Sequence, residues 1–326
     1  MAESTLSPDL DDIRSSVARF MGHPTRTYAS LNAQEQADID EAVDRGLRQF
    51  YAPDPLEGET KAHEWSFMQP YTTLDLTAPY ATGTVEVASG VVTLTGGTFP
   101  SWAASGVFSV SGGDYAVDTR DGNTQITLVD TSLTVAAGTS YGLYQNRYTL
   151  PDNYGGMCGP ITYGFGTNWT EIKIVDDVSI RMAEQEQGWP KTRPTFASIT
   201  PTDPTYTTGQ RFSLHVWPLP DAAYRLTYRY TILLDNLTTT NKYPPGGLLH
   251  GETILLSCLS VAEEILDSPV RQYRDRFMRR LRASVLLDRQ ANAVEYFGYN
   301  GDASDLARNE FTRTATGYVR VGGVLY

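Results

Sequence analysis

The stretch LHVWPLPDAAYRLTYRY, residues 214–230, decides how this chain is read. Leu214 and Val216 alternate with polar residues on one side, and Tyr224, Leu226, Tyr228 and Tyr230 do so on the other. That period of two marks a pair of strands. Pro218 and Pro220 lack the N–H that a ladder needs, so they belong to a turn or an edge. The sequence Trp217-Pro218-Leu219-Pro220 is therefore expected to be a stiff corner joining two strands, with Trp217 and Tyr224 packed at its base. A stiff corner loses little freedom when a surface docks on it, which fits a loop held between subunits.

Working outward, the character of the chain changes three times. Residues 1–50 read as helices. Asp9, Asp11 and Asp12 follow Ser7-Pro8 at a helix start, and Leu10, Ile13, Val17 and Phe20 recur at helical spacing. Asn32 is a plausible N-cap for a second helix with the stripe Ile39, Val43, Leu47 and Phe50. From residue 64 to 150, short alternating runs such as TGTVEVAS, GVVTLTG and TQITLVD are divided by glycine turns, the pattern of a compact antiparallel barrel or sandwich. After IKIVDDVSIRMAEQE, a short strand and a helix, comes the corner, and PPGGLL then marks a return to helices. The segment 251–267 is apolar nearly all round, so it is expected inside the fold or between subunits. The next helix carries Tyr273, Phe277, Leu281 and Val285 as one stripe.

The fold class expected is α+β: a helical bundle from N- and C-terminal helices, an inserted antiparallel β barrel or sandwich, and an extended C-terminal arm. The boundaries expected are 1–60 with 160–300 for the core, 61–159 for the β insert, and 301–326 for the arm.

Composition narrows the function. The chain has 326 residues and a formal charge of −12, which argues against tight nucleic-acid binding. The N-terminus has neither a basic start nor an apolar core, so the expectation is a chain used where it is made, in a cytosol. Two cysteines, Cys158 and Cys258, fit reduced buried thiols rather than a disulfide framework. His23, His63, His215 and His250 have no metal-ligand spacing. There is no phosphate-binding glycine loop and no G-x-S-x-G elbow. Cys158 in GGMCGP has no histidine nearby in sequence and reads as a small residue in a turn. Glu263-Glu264 reads as a solvated or inter-subunit face rather than an acid–base pair. No cofactor, no metal and no catalytic residue is expected.

The strongest charge feature is a run of arginines at 271, 274, 276, 279, 280, 282 and 289 in an otherwise acidic chain. Phosphate contact is one reading. Pairing with the acidic N-terminal helices of a neighbouring subunit is the favoured one. A sugar-binding platform from Trp102, Tyr115, Tyr141 and Tyr144 is the corresponding reading for the β insert, against core packing of the same rings.

Three segments resemble the head-to-tail adaptor proteins of tailed bacteriophages: RGLRQFYAP; HEWSFMQPYTTLDLTAPYATGTVEV continuing to YGLYQNRYTLPDNYGG; and RFSLHVWPLPDAAYRLTYRYTILLDNL with PPGGLLHGETILLSCLSVAE. They cover most of residues 40–266. The resemblance implies a homo-oligomeric ring, usually of twelve copies, that joins the portal of a capsid to a tail, nozzle or stopper protein. It implies a channel for double-stranded DNA, no membrane, and a place in the virion neck after assembly in the host cytoplasm. It also implies an arm that reaches the portal, here with Tyr318, Val319, Val321, Val324, Leu325 and Tyr326. Arg274, Arg279, Arg280 and Arg282 are the expected subunit or portal contacts. The alternative from another class is a carbohydrate-binding tail or adhesin subunit that uses the β insert.

Overall fold

The computed structural model describes residues 4–23, 27–56, 58–164, 166–167, 169–202, 209–267 and 271–291, together with two short strands, Arg320–Val321 and Val324–Leu325. The described residues contain five α-helices: α1 (Leu10–Phe20), α2 (Ala33–Tyr51), α3 (Asp177–Gln187), α4 (Gly247–Ile265) and α5 (Gln272–Ala291). Fourteen strands precede α4: β1 (Tyr71–Leu76), β2 (Thr84–Ala88), β3 (Val91–Thr95), β4 (Gly106–Val110), β5 (Gly113–Arg120), β6 (Gln125–Leu128), β7 (Val135–Thr139), β8 (Tyr141–Gln145), β9 (Arg147–Thr149), β10 (Tyr154–Tyr163), β11 (Lys173–Ile174), β12 (Phe196–Pro201), β13 (Phe212–Trp217) and β14 (Tyr224–Ile232). The fold is α+β with a β domain.

Three hydrophobic cores organise the chain. The first lies between helices: Ile13 and Val17 of α1, Ile39, Val43 and Phe50 of α2, Ile254 and Cys258 of α4, and Phe277, Leu281 and Val285 of α5. Local chemistry starts these helices where the sequence predicts. Asp9 and Asp12 form a reciprocal capping box on α1, and Asn32 and Glu35 form one on α2. Helices α2 and α4 approach closely because small residues meet. A Cβ placed on Gly46 would lie 2.5 Å from the Cys258 Cα, and Ser257 Oγ donates to the Gly46 carbonyl at 2.7 Å.

The second core is a small sandwich. Sheet β1-β14-β10 faces sheet β11-β12-β13-β9, with Leu76, Tyr148, Ile161, Leu214, Val216, Leu226 and Tyr228 between them. The third core fills a seven-stranded antiparallel sheet in the order β7-β2-β3-β6-β5-β4-β8. Its two edge strands, β7 and β8, are separated in sequence by Ser140 alone. The sheet must therefore curl until its edges converge, and it forms a half-barrel around Val87, Phe108, Ile126 and Leu143.

The β-rich stretch that looks like one insert in the sequence is divided between these cores. Strand β1 pairs over its whole length with β14, from Tyr71 opposite Arg229 to Leu76 opposite Tyr224. Strands β9 and β10 pair with β13 and β14. Only 84–145 builds the half-barrel. The reason is length: β14 spans nine residues and needs a neighbour on each side, and no local turn signals pairing across 150 positions.

Residues 286–326 form a separate unit. Its described strands, β15 (Arg320–Val321) and β16 (Val324–Leu325), pair antiparallel.

Gly46→Ala sets two effects against each other. Helix propensity favours alanine by about 1 kcal/mol. Overlap with the backbone of α4 opposes it by about 1–3 kcal/mol, and backbone cannot swing aside. A urea unfolding midpoint below that of the parent is expected; an unchanged or higher midpoint would contradict the close α2–α4 contact.

Candidate functional site

The Trp217 corner is buried rather than projecting. Trp217, Pro218, Leu219 and Pro220 are all buried, and only Asp221, Ala222 and Ala223 are exposed. The prolines cannot donate, so Leu219 makes the backbone contacts. Its N–H donates to the Pro190 carbonyl at 2.9 Å, and its carbonyl accepts from Thr192 at 3.0 Å. A segment of the same chain, residues 190–195, covers the corner that the sequence reading assigned to a neighbouring subunit. Trp217 and Tyr224 also separate. Trp217 lies beside Phe196 and donates from Nε1 to the Gly188 carbonyl. Tyr224 joins Tyr163 and Trp169. Strand periodicity explains this: Leu214 and Val216 face the sandwich core, so Trp217 faces away from it.

That outer face of β13 carries a polar cluster that the sequence did not reveal. His215 is 1% exposed. Its Nε2 lies 3.0 Å from Glu184 Oε1, and the same oxygen accepts from Trp189 Nε1 at 3.0 Å. Asn146 Nδ2 is 3.2 Å from the same ring nitrogen. The Nδ1 edge faces Asp177 Oδ1 at 3.9 Å, beyond hydrogen-bond reach. Burial acts to raise the Glu184 carboxyl, but the His215 hydrogen bond and charge, with Trp189 and Arg147, outweigh it and hold it below its usual value. Asp177 and Glu184 sit seven residues apart, two turns along one face of α3. Glu184, with buried Ile180 a turn before it, fastens α3 onto the sheet, whereas Asp177 accepts from Arg181 Nε at 2.7 Å within α3. The imidazole is sealed from solvent, so the cluster pins structure and offers no surface to a substrate. The available signal was the pairing of that i, i+7 spacing with a histidine in an alternating strand, and it emerges only once the two elements are known to touch.

Glu263 also changes role. It is 5% exposed, and its carboxylate accepts the backbone N–H groups of Gln272, Tyr273 and Arg274 at 2.9, 3.0 and 3.3 Å. It caps α5 from α4 and neutralises the positive end of that helix. Glu264 instead pairs with Arg45 of α2 at 3.0 Å. A surface cavity of about 180 Å³ opens here, lined by Gln49, Ser260, Glu263, Glu264, Arg271 and Arg274 among others. Cys258 is fully enclosed, and burial pushes its thiol up to about 12. Cys158 is half-buried, with Sγ 3.2 Å from Thr231 Oγ1.

The arginine helix is exposed along the face opposite its core stripe. Arg274, Arg276, Arg279, Arg280 and Arg282 are all exposed. Arg276 lies over the Tyr273 ring, and Arg279 Nε donates to the Asp275 carbonyl. Among the described residues, no carboxylate pairs with Arg274, Arg276, Arg279 or Arg280. Tyr318, Val319 and Tyr326 lie outside the described residues, whereas Val321 falls in β15, and Val324 and Leu325 in β16. The aromatic residues of the half-barrel are spent on packing. Tyr141 is buried in its core, Trp102 and Tyr115 pack against that core, and Tyr144 lies under Lys191.

Among the described residues, no group of His, Cys, Asp and Glu is placed to hold a metal ion, and no helix is long and apolar enough to cross a membrane. No protein-family model matches the chain, and no curated protein sequence matches it significantly.

Glu184→Gln is expected to lower stability at pH 7 by about 1–3 kcal/mol, because it weakens a buried charge-assisted hydrogen bond. The lowered carboxyl gives stability above the unfolded value near 4.5, and that stability is lost as pH falls through the folded value. Urea midpoints measured from pH 7 to 3 should therefore converge for parent and variant at the acid end. A gap that stays constant would contradict the ionised Glu184.

Proposed function

We propose that the chain is a structural subunit of the head-to-tail adaptor of a tailed bacteriophage. It forms a closed ring of identical copies between portal and tail, and double-stranded DNA passes through the channel. The resemblance of residues 40–266 supplies the family and the twelvefold ring. The observation that carries the reading is the face of α5. Four exposed arginines on a chain of charge −12 find no carboxylate among the described residues of their own subunit. Acids to meet them are exposed on the N-terminal helices: Asp11 of α1 beside the capping Asp12, and Glu41 of α2, which also pairs with Arg45 at 3.3 Å. A ring needs two different, complementary faces on each subunit, and opposite charges fix the register in which they meet.

The parts then take distinct roles. α1, α2, α4 and α5 make the helical bundle that closes the ring. The half-barrel is carried on the sandwich, between strands β1 and β9. The residues after 300 form the arm that reaches the portal. Catalysis has no part in this reading.

Negative-stain images of the purified chain, alone and mixed with portal protein, test the proposal. Rings are expected, and a chain that stays monomeric in both conditions overturns it. Exposed pairs contribute only about 0.2–1 kcal/mol each, so one Arg→Ala change is expected to do little. Arg279→Glu with Arg280→Glu should disperse the rings while leaving the thermal midpoint of the monomer unchanged. Deletion of residues 301–326 is expected to abolish docking to the portal while the fold persists; undiminished co-assembly would refute the arm.

A further inference from the structure

The segment that covers the Trp217 corner also presents a cation. Thr192 N–H donates to the Leu219 carbonyl at 3.0 Å and Thr195 N–H to the Trp217 carbonyl at 3.1 Å. The Pro194 carbonyl accepts the Tyr163 hydroxyl. Backbone on both sides of Arg193 is therefore anchored. Its guanidinium Cζ lies 5.0 Å from the Trp169 ring centroid and 5.6 Å from that of Tyr163. Tyr163, Trp169 and Tyr224 meet pairwise edge to face, with centroids 5.2, 5.6 and 5.7 Å apart. Two rings thus flank the guanidinium.

What the arginine lacks is an acceptor. Its Nε is enclosed and has no hydrogen-bond partner, so an incoming group must meet the Nη end of the half-buried side chain. Among the described residues, no carboxylate is within ion-pair reach of it. Asp221, the acid at the same corner, takes the Tyr224 hydroxyl at 2.5 Å instead. Trp169 beside it is 44% exposed. An aromatic pair, an exposed tryptophan and an uncommitted arginine on a rigid support have the composition of a binding hot spot. Anchored backbone and two flanking rings leave little freedom to lose on binding. The fork geometry matches a carboxylate.

We infer that Arg193, with Trp169 and Tyr224, receives a carboxylate side chain of an acidic protein partner. The Nη end of the guanidinium takes the carboxylate, and the exposed part of the Trp169 side chain takes the apolar group beside it. A nucleic-acid backbone is the poorer match. It is held by several cations acting together, whereas this site offers one, on an acidic chain. The assignment is independent of the arginine face of α5 and does not rest on ring formation.

Isothermal titration of the full-length chain tests it with three probes: a poly-glutamate peptide, an oligogalacturonate and a short DNA duplex. Poly-glutamate binding is expected, weakened at least tenfold by Arg193→Gln and also weakened by Arg193→Lys, which keeps the charge but loses the fork. Trp169→Ala should act in the same direction, and it decides the matter if Arg193→Gln lowers the urea midpoint. Equal binding by parent and variants overturns the inference, as does failure of all three probes. Tighter, Arg193-dependent binding of oligogalacturonate reassigns the site to an acidic sugar, and such binding of the duplex reassigns it to nucleic acid. Rings that form normally without poly-glutamate binding would sink this inference alone.

Discussion

Strand β13 is covered on both faces, and much of the molecule is arranged around that constraint. Leu214 and Val216 point into the sandwich core, while Ser213, His215 and Trp217 point outward and are also buried. An antiparallel strand normally leaves one face to water. Here α3 takes the place of water, and a buried polar side chain must then find a partner on that helix. Glu184 provides it. The same requirement fixes the end of the strand. Once Trp217 lies beneath α3 and its connection, the chain cannot continue straight, and the two prolines release it from the ladder just where the 190–195 segment crosses.

The helical core obeys a different constraint, close approach. Gly46 lets α2 sit against Cys258, and Gly251 does the same for Pro8, whose ring would lie 2.5 Å from a Cβ at that position. Small residues on facing helices trade side-chain area for backbone contact, and serines there send their hydroxyls to carbonyls rather than to water. The polar content of α4 is thus compatible with burial. Its serines, Glu263 and Thr253 all have partners across helix interfaces or, for Ser260, within α4 itself.

How much of this was legible in the sequence follows from the range of each interaction. Capping boxes, the Phe277-Leu281-Val285 stripe and the short strands of the half-barrel are local patterns, and they were readable. The pairing of β1 with β14 was not, since nothing in YTTLDL names a partner 150 residues away. Glu263 looked like one of two adjacent surface acids. Its role depends on the direction from which α5 begins, which no local pattern encodes. His215 looked isolated for the same reason. The prolines at 218 and 220 correctly marked the end of a strand, but they gave no sign of what would cover it. Arg193 has no sequence signal, because a lone arginine in a proline-rich segment carries no pattern.

The attachment of the half-barrel has a mechanical consequence. Chain enters it past Thr77 and leaves it through Asn146, and the Thr77 hydroxyl is 3.1 Å from Gln145 Oε1. Two crossings thus tie the half-barrel to the sandwich. Lys191, reaching from the corner segment to Ser109 and Asp114 at 2.8 Å each, adds a third tie. The half-barrel is therefore fastened to the segment that carries Arg193 as well as to the strands that lead into and out of it.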